Sequence, residues 1–362
     1  MATWSKKLTF GQKTTYNCYW FTTMIKEITS KKDWNAILDQ VDTYDFYHTF
    51  DYHHISKEAN TETPVLVTYT CKDVLIAIPF LLRSIKKTAY FDLTSIYGYA
   101  GPLSKNVSVN FDNSNFINEL QAYFKSKNIV SVFSRLHPYF QEQNIILNGI
   151  GNIVNLGRVV NIDVTLPLEE SRRIYQRSLK TQLNKLRRQC NVFNAKTRDD
   201  VLEFVDIYLE SMKRLNASSN YFFEPEYFLN FFKQTDFKTE ILLVKELESQ
   251  KIIAGSMFVK TNGIIQFHLS GTRTNYLHFR SSKLILDEMR VNATNQGFKY
   301  YNLGGGLGGK EDSLFKFKSS YSKDFRDFHI WKYVVNTKVY NELCEKNSSL
   351  NNGDYFPSYR AK

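Results

Sequence analysis

The chain has 362 residues, of which 43% are hydrophobic and 15% aromatic, and its formal net charge is +11. This length permits two domains of ordinary size, and this composition excludes a disordered protein. The positive charge favours an anionic partner such as RNA, a nucleotide-linked substrate or an acidic lipid surface, and charge that only keeps the protein soluble explains it equally well.

Cysteine usage and hydropathy indicate a cytoplasmic protein. The four cysteines lie far apart in the sequence, at Cys18, Cys71, Cys190 and Cys344. Their spacing predicts neither a zinc site nor a disulfide framework. The longest apolar run, Val74 to Leu82, is too short for a membrane span, and the polar amino terminus lacks a signal-peptide core. We therefore expect no transmembrane segment, and peripheral contact with a membrane stays open.

The first half of the chain alternates strand and helix patterns. Residues 1–17 are polar and are expected to form a loose arm. Apolar runs and alternating patterns predict strands at Met24–Ile28, Pro64–Thr70, Val74–Leu82, Tyr90–Ile96 and Ile129–Phe133. Apolar residues at helical spacing predict helices at Asp33–Val41 and Phe116–Tyr123. An aromatic and histidine-rich stretch, residues 44–54, separates the first helix from the second strand.

The same order of elements recurs in the second half, offset by roughly 170 residues. Strands are predicted at Thr239–Val244, Ile252–Val259, Ile264–Leu269 and Phe298–Leu303, after a helix at Glu169–Gln189. Asn262-Gly263 is a strong hairpin turn. A helix at Ser282–Asn295 is capped by its serine and ended by Gly297.

The repeated order predicts an α/β fold of two domains with one topology, each a mixed, mostly antiparallel sheet flanked by helices. The expected divisions are residues 1–165, residues 166–345 and a polar tail at 346–362. The test is whether residues 64–135 and 239–304 share one strand order.

The stretch from Tyr300 to Tyr321 carries the strongest local pattern, YYNLGGGLGGKEDSLFKFKSSY. Its glycines permit close approach of a ligand and positive φ, and the amides of a following helix favour an anion. An ordinary strand-to-helix turn is the alternative. Gly304 to Lys310 fits the start of a phosphate-binding loop, but Glu311 replaces the Ser or Thr that ligates magnesium. We therefore reject a nucleoside-triphosphatase.

The helix predicted at Glu169–Gln189 is amphipathic and strongly basic. Its apolar face contains Tyr175, Leu179, Leu183 and Leu186. The opposite face gathers Arg173, Arg177, Lys180, Arg187 and Arg188. This face is either an ordinary solvated surface or a phosphate contact for tRNA.

Three motifs together resemble the Fem-type aminoacyltransferases and their relatives, the GNAT-fold N-acetyltransferases of bacterial envelope gene clusters. The motifs are Tyr97-Gly-Tyr-Ala-Gly-Pro-Leu103, Phe267-His-Leu-Ser-Gly-Thr272 and the segment from Leu303 to Tyr321. The resemblance covers about residues 44–335. It implies two tandem GNAT-like domains, 1–165 and 166–345, with the glycine loop in the second.

The family activity implies transfer of an acyl or aminoacyl group to an amine of a nucleotide-linked sugar or of a cell-surface glycan or peptidoglycan precursor. An aminoacyl-tRNA-dependent peptidoglycan bridge enzyme is one alternative. A non-catalytic RNA- or nucleotide-sugar-binding protein of the same fold is another. The family's Phe-Lys motif falls on Phe317 and Lys318 and its aromatic position on Tyr321, so the resemblance implies that Lys318 lies near the reacting centre.

Three departures from the family leave the substrates open. Residues 199–238 are too short for the helical hairpin of some Fem enzymes. The glycine loop that holds the CoA pyrophosphate in GNAT enzymes is missing from residues 274–282, although Arg273, Arg280 and the next helix could bind a phosphate. A family tryptophan is replaced within Asp51–His54. The donor is therefore either acyl-CoA or aminoacyl-tRNA, and we expect no tightly bound cofactor.

Acyl transfer to an amine requires a polarised carbonyl and a stabilised oxyanion. The catalytic candidates are Lys318 for the oxyanion, His268 as proton acceptor or buried structural residue, and Asp312 as helix cap or holder of a substrate ammonium. Further candidates for substrate binding are Tyr97, Tyr99, Arg135, Ser270, Arg273, Arg280, Gly304, Gly305, Gly306 and Tyr321. Because no Cys or Ser is paired with a base, we expect direct transfer, and the sequence shows no metal-ligand cluster.

Overall fold

The computed structural model describes residues 25–58, 61–346 and 355–361, so the predicted arm at residues 1–17 lies outside the described residues. The strands are β1 (Lys26–Ile28), β2 (Glu62–Cys71), β3 (Val74–Ser84), β4 (Phe91–Thr94), β5 (Leu103–Lys105), β6 (Ile129–Arg135), β7 (Asn152–Asp163), β8 (Cys190–Asn194), β9 (Lys238–Glu246), β10 (Ile252–Thr261), β11 (Ile264–Thr272), β12 (Tyr300–Gly304) and β13 (Asp324–Val334). The helices are α1 (Lys31–Leu38), α2 (Phe50–Ser56), α3 (Ser114–Ser126), α4 (Glu142–Ile146), α5 (Leu168–Arg173), α6 (Arg177–Gln189), α7 (Arg198–Arg214), α8 (Pro225–Lys233), α9 (Ser282–Asn295), α10 (Ser313–Lys318) and α11 (Thr337–Lys346).

All of these strands join one 13-stranded sheet whose two halves repeat the same order in opposite directions. The order is β1-β2-β3-β4-β6-β13-β7-β12-β11-β10-β9-β8, with β5 added beside β3. In the first half β2, β3 and β4 are antiparallel neighbours and β4 is parallel to β6. In the second half β9, β10 and β11 are antiparallel and β11 is parallel to β12. The shared order confirms the predicted tandem α/β architecture.

The centre of the sheet contains two strands that the sequence analysis did not predict. Strand β7 follows the first half in the chain but pairs with β12 of the second half, and β13 follows the second half but pairs with β6 of the first. These two strands also pair with each other over nine registered residue pairs. Each half therefore completes the sheet of the other, while the domain boundary near residue 166 stays a prediction.

Helices cover the sheet through the apolar stripes that their sequences carry. Helix α3 buries Phe116, Leu120 and Phe124 in the core of the first half. Helix α9 buries Ile285 and Met289 in the core of the second half, beside the leucines of α6. Apolar residues three or four positions apart lie on one face of a helix, which explains why these stripes predicted the helices.

Two local predictions are wrong. The single helix expected at Glu169–Gln189 is divided into α5 and α6, because Gln176 has extended backbone angles (φ −56°, ψ 142°) and its amide donates to the carbonyl of Ser320. The serine cap of α9 is also absent, since Ser281 stands at the N-cap without a side-chain cap hydrogen bond. In contrast, Gly297 has the expected positive φ of 74° just after α9.

The described part of the predicted polar tail, residues 355–361, packs on the first half. Tyr359 is buried and its hydroxyl donates to Asp92 at 2.9 Å. Arg360 forms an ion pair of 2.5 Å with the same carboxylate. Asp92 therefore attaches the end of the chain to strands β3 and β4. Within the described residues, every helix is too short or too polar to cross a bilayer.

Candidate functional site

A wedge-shaped gap opens in the second half where two parallel strands separate. Strands β11 and β12 pair only from Ile264 to Gln266 and from Tyr300 to Asn302. A β-bulge between Asn302 and Gly304 then redirects the chain into the glycine loop. We call the space between residues 267–272 of β11 and residues 304–306 the notch.

Lys318 projects into the notch from the end of α10. Its side chain is buried, its Nζ lies 5.9 Å from the ring centroid of Phe267, and it donates a hydrogen bond of 2.6 Å to the carbonyl of Gly305. Burial lowers the pKa of Lys318 to about 8, although the charge of Asp312 acts in the opposite direction. At pH 7 the group is therefore still mostly a cation, in a site where a cation is poorly solvated.

Gly304 lets two polar groups approach the same stretch of backbone. Its φ is 74°, a conformation that L side chains rarely adopt. A Cβ at this position would lie 3.3 Å from Nζ of Lys318 and 3.4 Å from the hydroxyl oxygen of Tyr99. The positive φ therefore favours glycine here, and a methyl group would crowd Nζ of Lys318 by a few tenths of an ångström.

Tyr99 belongs to the first half and closes the notch from the opposite side. Its ring makes edge-to-face contacts with Tyr47 and Phe328, at centroid distances of 5.7 and 5.1 Å. Burial raises the pKa of Tyr99 to about 12, against the lowering effects of Arg135 and of a backbone hydrogen bond with Gly305. The phenol is therefore a proton donor at neutral pH.

Arg135 and Tyr97 lie beside Tyr99. The guanidinium carbon of Arg135 lies 5.6 Å from the ring centroid of Tyr97 and 5.2 Å from that of Phe133. Tyr97 is 56% exposed, and burial lowers the pKa of Arg135. The described part of the chain provides no carboxylate partner for Arg135. An arginine held by aromatic rings without a counter-ion is suited to an anionic substrate group.

The structure assigns Asp312 to the backbone. Its side chain caps α10 by accepting from the amide of Phe315 at 2.9 Å, and it also accepts from Leu307 at 3.1 Å. These bonds lower the pKa of Asp312. Of the two interpretations offered by the sequence, the helix cap is the one present. Gly306 packs closely as well, because a Cβ there would lie 2.0 Å from the carbonyl oxygen of Lys310.

His268 is turned away from Lys318, whereas Ser270 lies on the face of β11 that meets Lys318, and its substrate contact stays a prediction. A β-bulge at His268 interrupts the alternation of β11, so Phe267, which meets Lys318, lies on the opposite face from Leu269, and Ser270 returns to the face of Phe267. His268 instead packs against the rings of Phe46 and Phe231 and lies 3.4 Å from the hydroxyl of Tyr227. Burial lowers the pKa of His268 to about 4, so the structural interpretation of this histidine fits its surroundings better than a proton acceptor.

Tyr321 and the two arginines near α9 also lie outside the notch. Tyr321 is buried and its hydroxyl donates to the carbonyl of Lys283 at 2.9 Å, and the substrate contact predicted for it stays a prediction. Arg273 forms ion pairs with Glu203 (2.6 Å) and Glu210 (3.1 Å) of α7. Arg280 is exposed in a left-handed turn before α9.

A buried polar row on the sheet escaped the sequence analysis. Gln266, Asn302, Asn161 and Asp324 occupy matching positions on the adjacent strands β11, β12, β7 and β13. Asn161 donates to Asp324 at 2.7 Å, and Gln266 donates to Asp45 of the first half at 2.6 Å. Asn302 is a single polar residue inside the apolar strand β12, whereas Asn161 and Asp324 lie among other polar residues of β7 and β13 and gave no distinct signal.

The row continues into the first half through a buried histidine. His137 lies 3.0 Å from the carboxylate of Asp45, and its ring centroid is 6.4 Å from that of Tyr99. His137 also lines a cavity of about 300 Å³ together with Gln143, Arg326 and His329. Polar groups buried between the two halves therefore fix the position of the first half next to the notch.

Comparisons with known proteins agree with the predicted family resemblance and with the fold. The FemAB family model matches residues 169–328, which confirms the predicted resemblance to the Fem-type family. A crystal structure of FemX superposes with a TM-score of 0.67 at 11% identity, covering 88% of this chain and 99% of that one. A conserved protein of unknown function from Bacteroides thetaiotaomicron VPI-5482 gives a TM-score of 0.57 at 13% identity, covering 86% and 100% of the two chains.

A third structure is the C-terminal domain of a candidate lysylphosphatidylglycerol synthetase from Agrobacterium fabrum. Its TM-score is 0.52 at 11% identity, and the match covers 84% of this chain and 92% of that one. Comparison with curated protein sequences gives no match. At these identities the structural likeness shows a common fold, and the reaction has to be argued from the notch.

Proposed function

We propose that this FemAB-like chain is an N-acyltransferase that moves an acyl or aminoacyl group to an amine of a nucleotide-linked sugar or of a glycan or peptidoglycan precursor. The observation that supports this most strongly is Lys318, a buried cation at the notch whose hydrogen-bond partner is the Gly305 carbonyl. A buried cation without a bonded carboxylate is available to a developing negative charge.

The notch suits direct transfer. The acceptor amine attacks the donor carbonyl, the carbon–nitrogen bond forms, and negative charge collects on the carbonyl oxygen. The bond to the leaving oxygen or sulfur then breaks, and the proton lost by the amine goes to the leaving group. Lys318 stabilises the oxygen more strongly in the transition state than in the substrate, so it raises turnover rather than affinity.

For the donor we favour a charged tRNA. The phosphate site expected near α9 loses one of its two cations, because Arg273 is neutralised by Glu203 and Glu210. On α5 and α6, Arg173, Arg177 and Arg188 are exposed. Exposed arginines along one surface are the usual contact for a nucleic-acid backbone.

Arg135, which lies near the rings of Tyr97 and Phe133, supports a nucleotide-linked or otherwise phosphorylated acceptor. A guanidinium that lies near two aromatic rings and has no carboxylate partner among the described residues matches a diphosphate, which it can bind through two parallel hydrogen bonds. The exposed ring of Tyr97 beside it offers a stacking surface.

The test measures amide formation by the purified protein with each combination of donor and acceptor. Radiolabelled aminoacyl-tRNA and acetyl-CoA are each combined with a nucleotide-linked peptidoglycan precursor and a nucleotide amino sugar, and amide product is measured by mass spectrometry. We expect product from aminoacyl-tRNA. If only acetyl-CoA gives product, the donor is a CoA thioester and not a charged tRNA. If no combination gives product and no nucleotide or thioester co-purifies, the proposed reaction is wrong.

Within an active pair, Lys318→Ala should lower turnover by on the order of a hundredfold or more. Lys316→Ala is the matched control, because Lys316 lies on the same helix but is exposed. Equal losses in both variants would mean a general effect of charge, and a fully active Lys318→Ala protein would remove Lys318 from the mechanism.

A further inference from the structure

We propose that Tyr99 and Lys318 form a two-donor oxyanion hole that exists only when the two halves of the chain are joined. This inference rests on the proposed acyl transfer, and it names a catalytic residue in the half that does not carry the glycine loop. The two groups come from opposite halves of the sheet and approach the same glycine, Gly304.

Geometry is the first support. The hydroxyl oxygen of Tyr99 and Nζ of Lys318 lie 3.4 and 3.3 Å from the position that a Gly304 Cβ would occupy. Both donor atoms therefore lie beside the same backbone position, and a substrate oxygen placed between them is within reach of both. Hydrogen-bond donors are effective in catalysis when they converge on the atom where charge develops.

The hydrogen-bond inventory is the second support. The backbone of Gly305 favours the ionised form of Tyr99 and so opposes the effect of burial on its pKa. Lys318 uses one of its three ammonium hydrogens on the Gly305 carbonyl. Across residues 25–58, 61–346 and 355–361, Lys318 makes no second hydrogen bond and the hydroxyl of Tyr99 donates none.

Partial removal from water is the third support, because Lys318 is buried and Tyr99 is half-buried. Polar groups removed from water normally have their hydrogen bonds satisfied, and donors left unused near a reaction centre are poised for a ligand. Tyr99 keeps its proton at neutral pH because burial raises its pKa, and Lys318 keeps its charge up to about pH 8. One oxygen could thus receive a neutral and a charged hydrogen bond together.

The experiment uses acetate as a probe, so it does not depend on knowing the substrates. The full chain is labelled with [13Cε]lysine, and the Lys318 signal is assigned by its loss in Lys318→Met. Acetate is titrated at several pH values. In the wild type, bound acetate should raise the pKa of Lys318, because an anion stabilises the ammonium form.

Tyr99→Phe should weaken acetate binding by about tenfold, the usual effect of losing one hydrogen bond to a charged group. Tyr44→Phe is the matched control: Tyr44 is also a half-buried tyrosine of the first half, but it packs in the apolar cluster around Trp34. An unchanged thermal unfolding midpoint in Tyr99→Phe shows that the variant is folded.

Equal acetate affinity in the wild type and Tyr99→Phe, or no acetate effect on Lys318 in the wild type, would overturn the oxyanion hole. Its failure is distinguishable from failure of the proposed function. If Tyr99→Phe forms amide product as fast as the wild type, Tyr99 has no catalytic role and the proposed acyl transfer still holds. Tyr99-dependent acetate binding without any amide product leaves the two-donor site in place and removes the proposed reaction.

Discussion

Gly304 and Gly297 allow the effect of backbone strain to be separated from the effect of close approach. Both have φ of 74°, but a Cβ at Gly297 would meet no atom within 4 Å. Replacing either by Ala should lower the free energy of unfolding by about 1 kcal/mol, because alanine is strained at positive φ.

Only Gly304→Ala should lower turnover, by about tenfold, since its methyl group would shift Nζ of Lys318 by a few tenths of an ångström. Turnover and denaturant unfolding of the two variants provide the measurement. Normal turnover in Gly304→Ala would show that the reacting atoms lie elsewhere.

The pH dependence follows from the lowered pKa of Lys318. If the charged lysine is the active form, turnover should fall as pH rises through about 8. Lys318→Arg should be slower but should lack this decline, because arginine stays protonated. A turnover profile that rises through pH 8 would instead make the neutral amine the active form.

The contribution of Lys318 to the free energy of unfolding should rise with pH, whereas turnover falls. The pKa of Lys318 is about 8 in the folded state and has the ordinary value of 10.5 in the unfolded chain. Between these two pH values, the folded state therefore binds fewer protons than the unfolded chain. The wild type should therefore gain stability over Lys318→Met as pH rises through this window. Denaturant unfolding at pH 7.5 and pH 10 measures the difference, and a constant difference would contradict the burial of Lys318.

At the scale of elements, α5 and α6 divide the basic face into two chemically different parts. Arg187 is bound to the buried carboxylate of Asp287 on α9, which Arg290 and Arg172 also contact. Arg187 is therefore a structural residue. The remaining exposed arginines, Arg173, Arg177 and Arg188, are free of recorded ion pairs in the described part of the chain.

Arg177→Glu and Arg188→Glu should each weaken tRNA binding and reduce the slope of log affinity against log salt by about 0.9 per lost phosphate contact. Lys125→Glu on α3 is the control for charge alone, since Lys125 is exposed on a helix of the first half. Electrophoretic mobility shift at several salt concentrations provides the measurement. Equal weakening by all three variants would rule out a specific surface.

The sequence predicted elements wherever a single stripe or alternation dominated. Helix α9 begins and ends at the predicted residues because Ile285, Met289 and Ala293 form one apolar face. Strands β7 and β13 were missed, because they interleave polar and half-buried residues and lie centrally only through pairing with distant strands. Lys318 was found through a motif, whereas its approach to Tyr99 depends on contacts between halves, which local patterns do not contain.

At the scale of the whole molecule, the exchanged strands β7 and β13 predict that the two halves unfold together. Neither half has a complete sheet alone, because β6 pairs with β13 and β12 pairs with β7. Far-UV circular dichroism and tryptophan fluorescence should therefore give one coincident denaturation transition. Hydrogen exchange that protects β9 to β11 after β2 to β4 have opened would contradict this coupling.

The reversed strand order also has an evolutionary consequence. Two copies of one αβ unit that exchange their last strands are arranged like a strand-swapped homodimer whose subunits have become one polypeptide. An ancestor of that kind would have carried two equivalent wedges. In the present chain the wedge between β4 and β6 is bridged from Ala100 to Leu136 and filled by Gln143, which donates to the carbonyls of Ala100 and Pro102. Fusion of two such copies would free one wedge to become scaffold and would let the loop that carries Tyr97 and Tyr99 serve the other.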